Sequence, residues 1–331
     1  MPALPLDHII ISRTDSIGDV MLTLPMIGAL RKQYPNARIG FVGRTYTEAI
    51  AWSCAHIDYF INRDTIIDNA SEALRTLNAD AIIHVFPDAE IMKAAKVAQI
   101  PVRIATASRL ASWKYCNRRV WFTRKRSDLH ESQLNFHLLH PLGAFPIPPL
   151  LEMPKLYGFR AHGTLPSRVS ELLDTTKIRV ILHPLSKGSA INWSLSNFNE
   201  LAHLLVSGRF QVFITGTEAE GTLIKAGFKF DSPHLVDLTG KLTLNELIIF
   251  ISQCDALVAA STGPLHIAAA LGKKAIGLYA PQRPIHPGRW APVGEYASVC
   301  VSKLSSENSQ ALSITPETVA QLLLVFSEEK E

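Results

Sequence analysis

The chain has few cysteines, and none of them is arranged for chemistry. Cys54, Cys116, Cys254 and Cys300 stand far apart, without the paired spacing of a zinc ligand set or a redox couple. They are expected to be reduced, buried thiols of a cytosolic protein. Neither G-x-G-x-x-G nor the Walker A pattern occurs, which weakens the dinucleotide dehydrogenase and P-loop NTPase readings. No apolar run reaches the roughly 18 residues of a membrane span, and residues 1–6 lack a basic segment followed by an apolar one, so neither a spanning helix nor an export signal is expected. Neither sign of charge dominates. The 33 Lys and Arg against 29 Asp and Glu leave +4, too mild for a dedicated nucleic-acid binder and better suited to a small anionic ligand or a membrane surface. Internal repeats, low-complexity tracts and heptad arrays are also missing.

What is present is material for two cores. With 47% hydrophobic residues in 331, the chain suits two α/β domains of about 150 residues each. Short β-branched runs at residues 8–12, 38–42, 79–86 and 102–105 alternate with helical patterns and read as buried parallel strands. The alternation pauses at the proline-rich residues 145–149, followed by an extended-looking stretch to 159, and the linker is expected there. A second set of strands at 179–183, 211–215, 256–260 and 275–279 goes with helices near 197–206 and 244–251. The expected architecture is α/β: domains 1–155 and 156–331, both doubly wound and Rossmann-like. In such sheets ligands bind outside the carboxyl ends of the strands. A last helix over 316–326, with Val319, Leu322 and Leu323 at helical spacing, is expected to pack back on one domain, the N-terminal one being a candidate.

Two segments carry chemistry. In the first, Arg13, Thr14, Asp15, Ser16, Ile17, Gly18 and Asp19 follow the first strand directly and lead into a helix. Gly18 permits a sharp turn, and a carboxylate at a helix start is stabilised by unpaired backbone N–H groups. Asp19 is thus a candidate base; the competing reading is that Asp15 or Asp19 merely caps the helix. The second segment runs from Ser261, Thr262, Gly263 and Pro264 through Leu265 and His266 to Gly272. It is a helix with a small polar cap, Pro in its first turn and Gly past its end. Its start is a natural phosphate cradle, with His266 in the first turn, although a capped alanine-rich helix can equally be structural.

RTDSIGDVMLTLP and STGPLHIAAALGKKAIGLY together resemble glycosyltransferase family nine, the ADP-heptose:lipopolysaccharide heptosyltransferases. His130 and Glu131 with Asn135, and His183 and Pro184 with Trp193 and Phe198, agree with that resemblance, which spans nearly the whole chain. It implies a GT-B fold, two Rossmann-like domains facing a central cleft, with acceptor bound mainly by the N-terminal domain and nucleotide sugar mainly by the C-terminal one. It also implies inversion at the anomeric carbon without a metal, in keeping with the lack of an Asp-x-Asp motif. Asp19 matches the family's general base, which would take the acceptor hydroxyl's proton as that oxygen attacks the sugar.

Residues and resemblance together nominate Arg13, Asp15, Arg118, Arg119 and His130 for the acceptor. For the donor they nominate Gly18, Ser186, Lys187, Ser261, Thr262, Gly263, Pro264, His266 and Glu220, with Glu218 as second choice for the ribose. Arg118, Arg119, Arg124, Lys125 and Arg126, interleaved with Trp121 and Phe122, form either a contact for an anionic glycolipid or leaflet or a solvated basic loop. Arg283, His286, Arg289 and Trp290 either line the donor pocket or belong to a structural loop. Two positions depart from the family pattern: Ser261 stands where an Asp precedes Thr-Gly, and Ile191 where a phosphate-binding Lys is found. The implied partners are a nucleotide sugar, in the first place ADP-heptose, and a glycolipid acceptor at the inner face of the cytoplasmic membrane; no cofactor is implied. The competing functions are a glycosyltransferase of another surface glycan with a different donor, a GT-B-like epimerase, or a catalytically silent nucleotide-sugar-binding protein.

Overall fold

The computed structural model describes residues 4–124, 127–186, 188, 190–303 and 312–328. The chain divides into two compact units, Met1–Arg160 and Ala161–Glu331. In the first, β1 (His8–Ser12), β2 (Arg38–Gly43), β3 (Tyr59–Asn62), β4 (Ala81–His84), β5 (Val102–Thr106) and β6 (Arg118–Val120) form one sheet in the order β3-β2-β1-β4-β5-β6. In the second, β7 (Ile178–His183), β8 (Phe210–Ile214), β9 (Leu235–Asp237), β10 (Ala256–Ala260), β11 (Lys274–Tyr279) and β12 (Ala297–Val301) form another in the order β12-β11-β10-β7-β8-β9. Every strand pair in both sheets is parallel. Counted from its own first strand, each sheet reads 3-2-1-4-5-6, the doubly wound order. The winding reverses between β1 and β4 in one sheet and between β7 and β10 in the other. There the flanking loops diverge and leave a crevice at the strands' carboxyl ends.

The central strands are apolar because helices cover both their faces: HIIIS in β1, AIIH in β4 and ALVAA in β10 are buried at every position. In the second unit Trp193 and Phe198 pack edge to face, and the Trp193 indole N–H donates to the Ile314 carbonyl at 2.7 Å. That bond satisfies the one polar atom that a fully buried indole brings into a core.

Three expectations need correction. The division falls after Arg160, not after Lys155, because the proline-rich segment and residues 150–160 belong to the first unit. Phe145 is buried against Tyr34, the Ala55 N–H donates to Gly158 O at 2.8 Å, and the Arg160 N–H donates to Ser53 O at 2.8 Å. The backbone comes so close that a Cβ on Gly28 would lie 2.0 Å from the Leu156 carbonyl oxygen. The expected extended stretch is instead a 3-10 helix, Leu150–Leu156, compatible with Pro154 because that helix needs few of its N–H donors. Finally, the last helix, Pro316–Glu328, packs in the second unit, where Val319 and Leu323 join the core with Phe198 and Leu205.

Candidate functional site

The segment after β1 forms a dense charged cluster at the reversal point of the first sheet. Ser16 caps the helix Ile17–Met21, accepting from the Asp19 N–H, and the Ser16 hydroxyl donates to Asp19 Oδ2 at 2.6 Å. Arg13 is buried and its guanidinium fans out to three carboxylates: Nε to Asp15 Oδ1 at 2.7 Å, one terminal nitrogen to Asp19 Oδ1, the other 3.6 Å from Glu131. Burial works against the charge on Arg13, but Asp19, Asp15 and Glu131 outweigh it and hold the guanidinium's pKa above its ordinary value. Asp15 shifts upward, first because it is desolvated and then because Asp19 is near, against the pull of Arg13. Asp19 is thus oriented through both oxygens while its side chain stays 20% exposed. A carboxylate has about four lone-pair sites, so acceptor capacity remains on the open side. The competing reading, Asp15 or Asp19 as the cap, does not hold: the Ser16 side chain caps, which leaves the Asp19 carboxylate to be held by Arg13.

Arg124, expected in a basic contact loop, joins this cluster, together with residues to which the sequence assigns no role. Arg124 donates to Glu131 at 3.0 Å and to Asn135 at 3.2 Å, and Asn135 in turn accepts from Arg13 and donates to the Leu22 carbonyl. Asp88, just after β4, accepts from the Thr14 hydroxyl at 3.2 Å and from Arg63 at 2.9 Å while capping the helix Ala89–Val97. Burial opposes its ionisation, but these donors hold its carboxyl below the usual range. The Tyr46 hydroxyl donates to the Asp15 carbonyl at 2.7 Å. An Asp right after an apolar strand was the available signal for Asp88; nothing local marks Arg63 or Tyr46.

The remaining acceptor nominees lie elsewhere. His130 is completely buried; its ring caps the helix Glu131–Phe136 and lies 2.7 Å from the Ser132 hydroxyl, so it supports the cluster from beneath and does not meet an acceptor. Arg118 and Arg119 are not in a loop but on the edge strand β6, three strand spacings or about 14 Å from β1. Lys125 and Arg126 lie outside the described residues.

Below this loop His84 on β4 pairs with Ser12 on β1, and neither ring nitrogen has a hydrogen-bond partner among the described residues. Complete burial depresses the His84 pKa to about 3 from 6.5. Because the folded value lies below the unfolded one, the unfolded chain takes the proton first as pH falls. Stability is therefore unaffected at pH 7 and is lost below about 6.5 by about 1.4 kcal/mol per pH unit, down to the folded pKa. His84→Leu is expected to shrink the gap between urea-unfolding stability at pH 7 and at pH 5; an unchanged gap would mean that other groups set the acid limb.

In the second unit the corresponding reversal point lies between the loops after β7 and β10. Thr262 is the N-cap of the helix Gly263–Ala270, with Pro264 in its first turn, and its hydroxyl is buried without a hydrogen-bond partner among the described residues. Ser261 and Gly263 are half-buried beside it; Pro264 and His266 lie inside, His266 with 2% exposure. Free N–H groups and an unsatisfied hydroxyl at one helix start can take an anion. Across the crevice, the Ser186 hydroxyl donates to Asn192 Oδ1 at 2.8 Å. His183 lies 3.0 Å from the Thr215 hydroxyl, and burial lowers its pKa to about 4 despite nearby Glu220, so it is neutral at pH 7. Glu220 is the third helical residue of a capping box, accepting from the Thr217 N–H at 2.7 Å. Glu218 is exposed. Lys187 lies outside the described residues. Ile191 packs against the core, so this position is apolar by construction and supplies no charge. Arg289 stacks on Trp290, which donates to the Pro284 carbonyl, and Tyr279 donates to the Trp290 carbonyl. All four cysteines are buried and unpaired.

The model of glycosyltransferase family 9 (heptosyltransferase) matches residues 71–317, a span that includes Glu131, Asn135 and Thr262 and leaves out the Arg13 to Asp19 loop. A putative glycosyltransferase of Haemophilus influenzae is 26% identical over 330 residues, covering 93% of this chain and 94% of its own. Among solved structures, the glycosyl transferase family 9 protein from Veillonella parvula superposes with a TM-score of 0.81 at 19% identity, covering 99% of each chain. The ADP-heptose lps heptosyltransferase II of E. coli gives 0.78 at 19% identity, covering 98% of this chain and all of its own. At such identities the likeness speaks for the fold, that of the GT-B glycosyltransferases.

Proposed function

Since the chain belongs to glycosyltransferase family 9, we propose that it moves a heptose from ADP-heptose onto a lipopolysaccharide-core or related glycolipid acceptor, inverting the anomeric carbon without a metal ion. The observation that carries this reading is Asp19, fixed at both oxygens by Arg13 and Ser16 yet partly open to solvent. The acceptor hydroxyl gives its proton to Asp19 as its oxygen attacks the anomeric carbon, the C–O bond to the diphosphate breaks, and ADP leaves with that electron pair. Arg13 orients the carboxylate and, with Asp15, shapes the acceptor side.

The diphosphate is met by the Ser261, Thr262 and Gly263 helix start, with His266 and Pro264 forming the turn beneath it. Ser186, Glu220 and Lys187 complete the donor set in this proposal; Gly18 lies inside the helix Ile17–Met21 of the first unit. The likeness to the ADP-heptose lps heptosyltransferase II of E. coli supports the donor. Because the acceptor class is membrane-anchored, the enzyme is placed at the inner face of the cytoplasmic membrane. A second reading, transfer from a different nucleotide sugar, is favoured by Ser261 and by the core-packed Ile191.

Calorimetric titration of ADP, UDP and GDP with no metal added tests the donor. ADP is expected to bind tightest, and Thr262→Trp to weaken it by about tenfold or more by filling the cradle, a loss of at least about 1.4 kcal/mol. A preference for another base would transfer the assignment to the second reading. No binding at all would leave only the fold.

A further inference from the structure

We propose that the face of the first unit formed by the helix Leu110–Tyr115 and the edge strand β6 is a docking surface for an anionic lipid bilayer. The proposal takes its purpose from the membrane-borne acceptor argued above, although its binding test does not depend on that reading. The charge of the chain is unevenly placed. Residues 91–127 contain ten Lys and Arg and no Asp or Glu, against a total of +4, so the remainder is net acidic at −6. Tertiary structure gathers part of this stretch further: Lys96 donates to the Lys114 carbonyl at 3.0 Å, and Arg103 to the Tyr115 carbonyl at 2.9 Å.

Among these cations stand large apolar side chains in water. Leu110 is 90% exposed, Trp121 74% and Trp113 51%. Leu110 and Trp113 lie three apart on one face of their helix, with Lys114 beside them. Trp121 meets Trp113 edge to face with ring centroids 5.9 Å apart, and the Arg119 guanidinium lies over the Trp113 ring at 4.6 Å. The Trp113 indole N–H is anchored on the Ala107 carbonyl at 2.9 Å. With Arg118 the two indoles rim a depression of about 340 Å³.

Single exposed apolar residues are ordinary, but two touching indoles and a leucine ringed by cations form a patch. Indoles favour the boundary between headgroups and acyl chains, and cations are drawn to an anionic leaflet. A nucleic acid or free phosphate would satisfy the arginines while leaving Leu110 in water. A second copy of the chain would bring two faces of the same sign together. Only a surface that is acidic outside and apolar just beneath satisfies both sets of side chains.

The test is co-sedimentation of the full chain with vesicles of phosphatidylcholine, alone or mixed with phosphatidylglycerol. Binding is expected to the mixed vesicles and to be about tenfold weaker to the neutral ones. Leu110→Asp, whose side chain has almost no packing to lose, and the pair Trp113→Ser with Trp121→Ser should each weaken binding severalfold. Transfer to a delipidated acceptor should be unchanged in these variants. The pair Arg118→Glu with Arg119→Glu should abolish the preference for anionic vesicles. Equal binding to both vesicle types, or variants that sediment like the parent, would overturn the proposal. So would a Trp113-dependent dimer or heparin binding without vesicle binding. Nucleotide binding that persists while vesicle binding is absent would refute this surface and leave the proposed function standing.

Discussion

Asp19→Asn is expected to lower kcat by about three orders of magnitude while leaving ADP affinity within a factor of about two. The substitution keeps the size of the side chain and leaves an oxygen for Arg13, so the loop after β1 should hold its shape. What is lost is the proposed base for the acceptor's proton. Nucleotide affinity should be spared because the proposed cradle lies in the second unit, at Thr262. The measurement is a steady-state comparison of kcat and KM, with thermal unfolding to show that the variant is folded. A kcat within threefold of the parent would reduce Asp19 to a partner of Arg13. A parallel loss of ADP binding would mean that the substitution disturbs more than the base.

Glu131→Leu should destabilise the first unit by about 3–5 kcal/mol. Glu131 is 1% exposed and lies between two guanidiniums, 3.0 Å from Arg124 and 3.6 Å from Arg13. Removing the carboxylate takes one of three carboxylates from the buried Arg13 guanidinium and an acceptor from Arg124. Glu131→Gln, which keeps a carbonyl acceptor, should cost less, and adding Arg124→Met to Glu131→Leu should restore part of the loss. Urea unfolding measures each term of this cycle. If Glu131→Leu costs under about 1 kcal/mol, Arg13 is held by Asp15 and Asp19 alone and the buried carboxylate is not what organises the loop.

The contrast between these two residues shows how far the sequence can be read. Asp19 was legible because everything that frames it is local: an apolar strand, a short loop, a capping Ser16 and a helix that takes in Gly18 where a sharp turn was expected, all within a few residues. Thr262 was legible for the same reason, its helix being marked by Pro264 at one end and Gly272 past the other. Glu131 and Asn135 appeared only as points of family likeness, because their partners Arg13 and Arg124 reach them across a fold that brings residues 13 and 135 together. His130, nominated through the same likeness, is fully buried and caps the helix Glu131–Phe136, which only the fold shows.

The strands divide along the same line. The eight central strands were legible, some to the residue, because burial on both faces forces a continuous apolar run such as HIIIS or ALVAA. The four not foreseen, β3, β6, β9 and β12, are the four sheet edges. An edge strand has a neighbour on one side only and is less covered, so YFIN, RRV, LVD and ASVCV need no apolar pattern. The sequence by itself thus determined the two α/β cores and the two loops at their reversal points, since strand periodicity, turns and caps depend on near neighbours. Tertiary structure alone decided the sheet edges, the attachment of residues 145–160 to the first unit, the contacts of Arg13 with Glu131 and Asn135, and the gathering of Trp113, Trp121 and their surrounding cations onto one face. Each of these depends on contacts between residues far apart in the chain, which leave no local pattern.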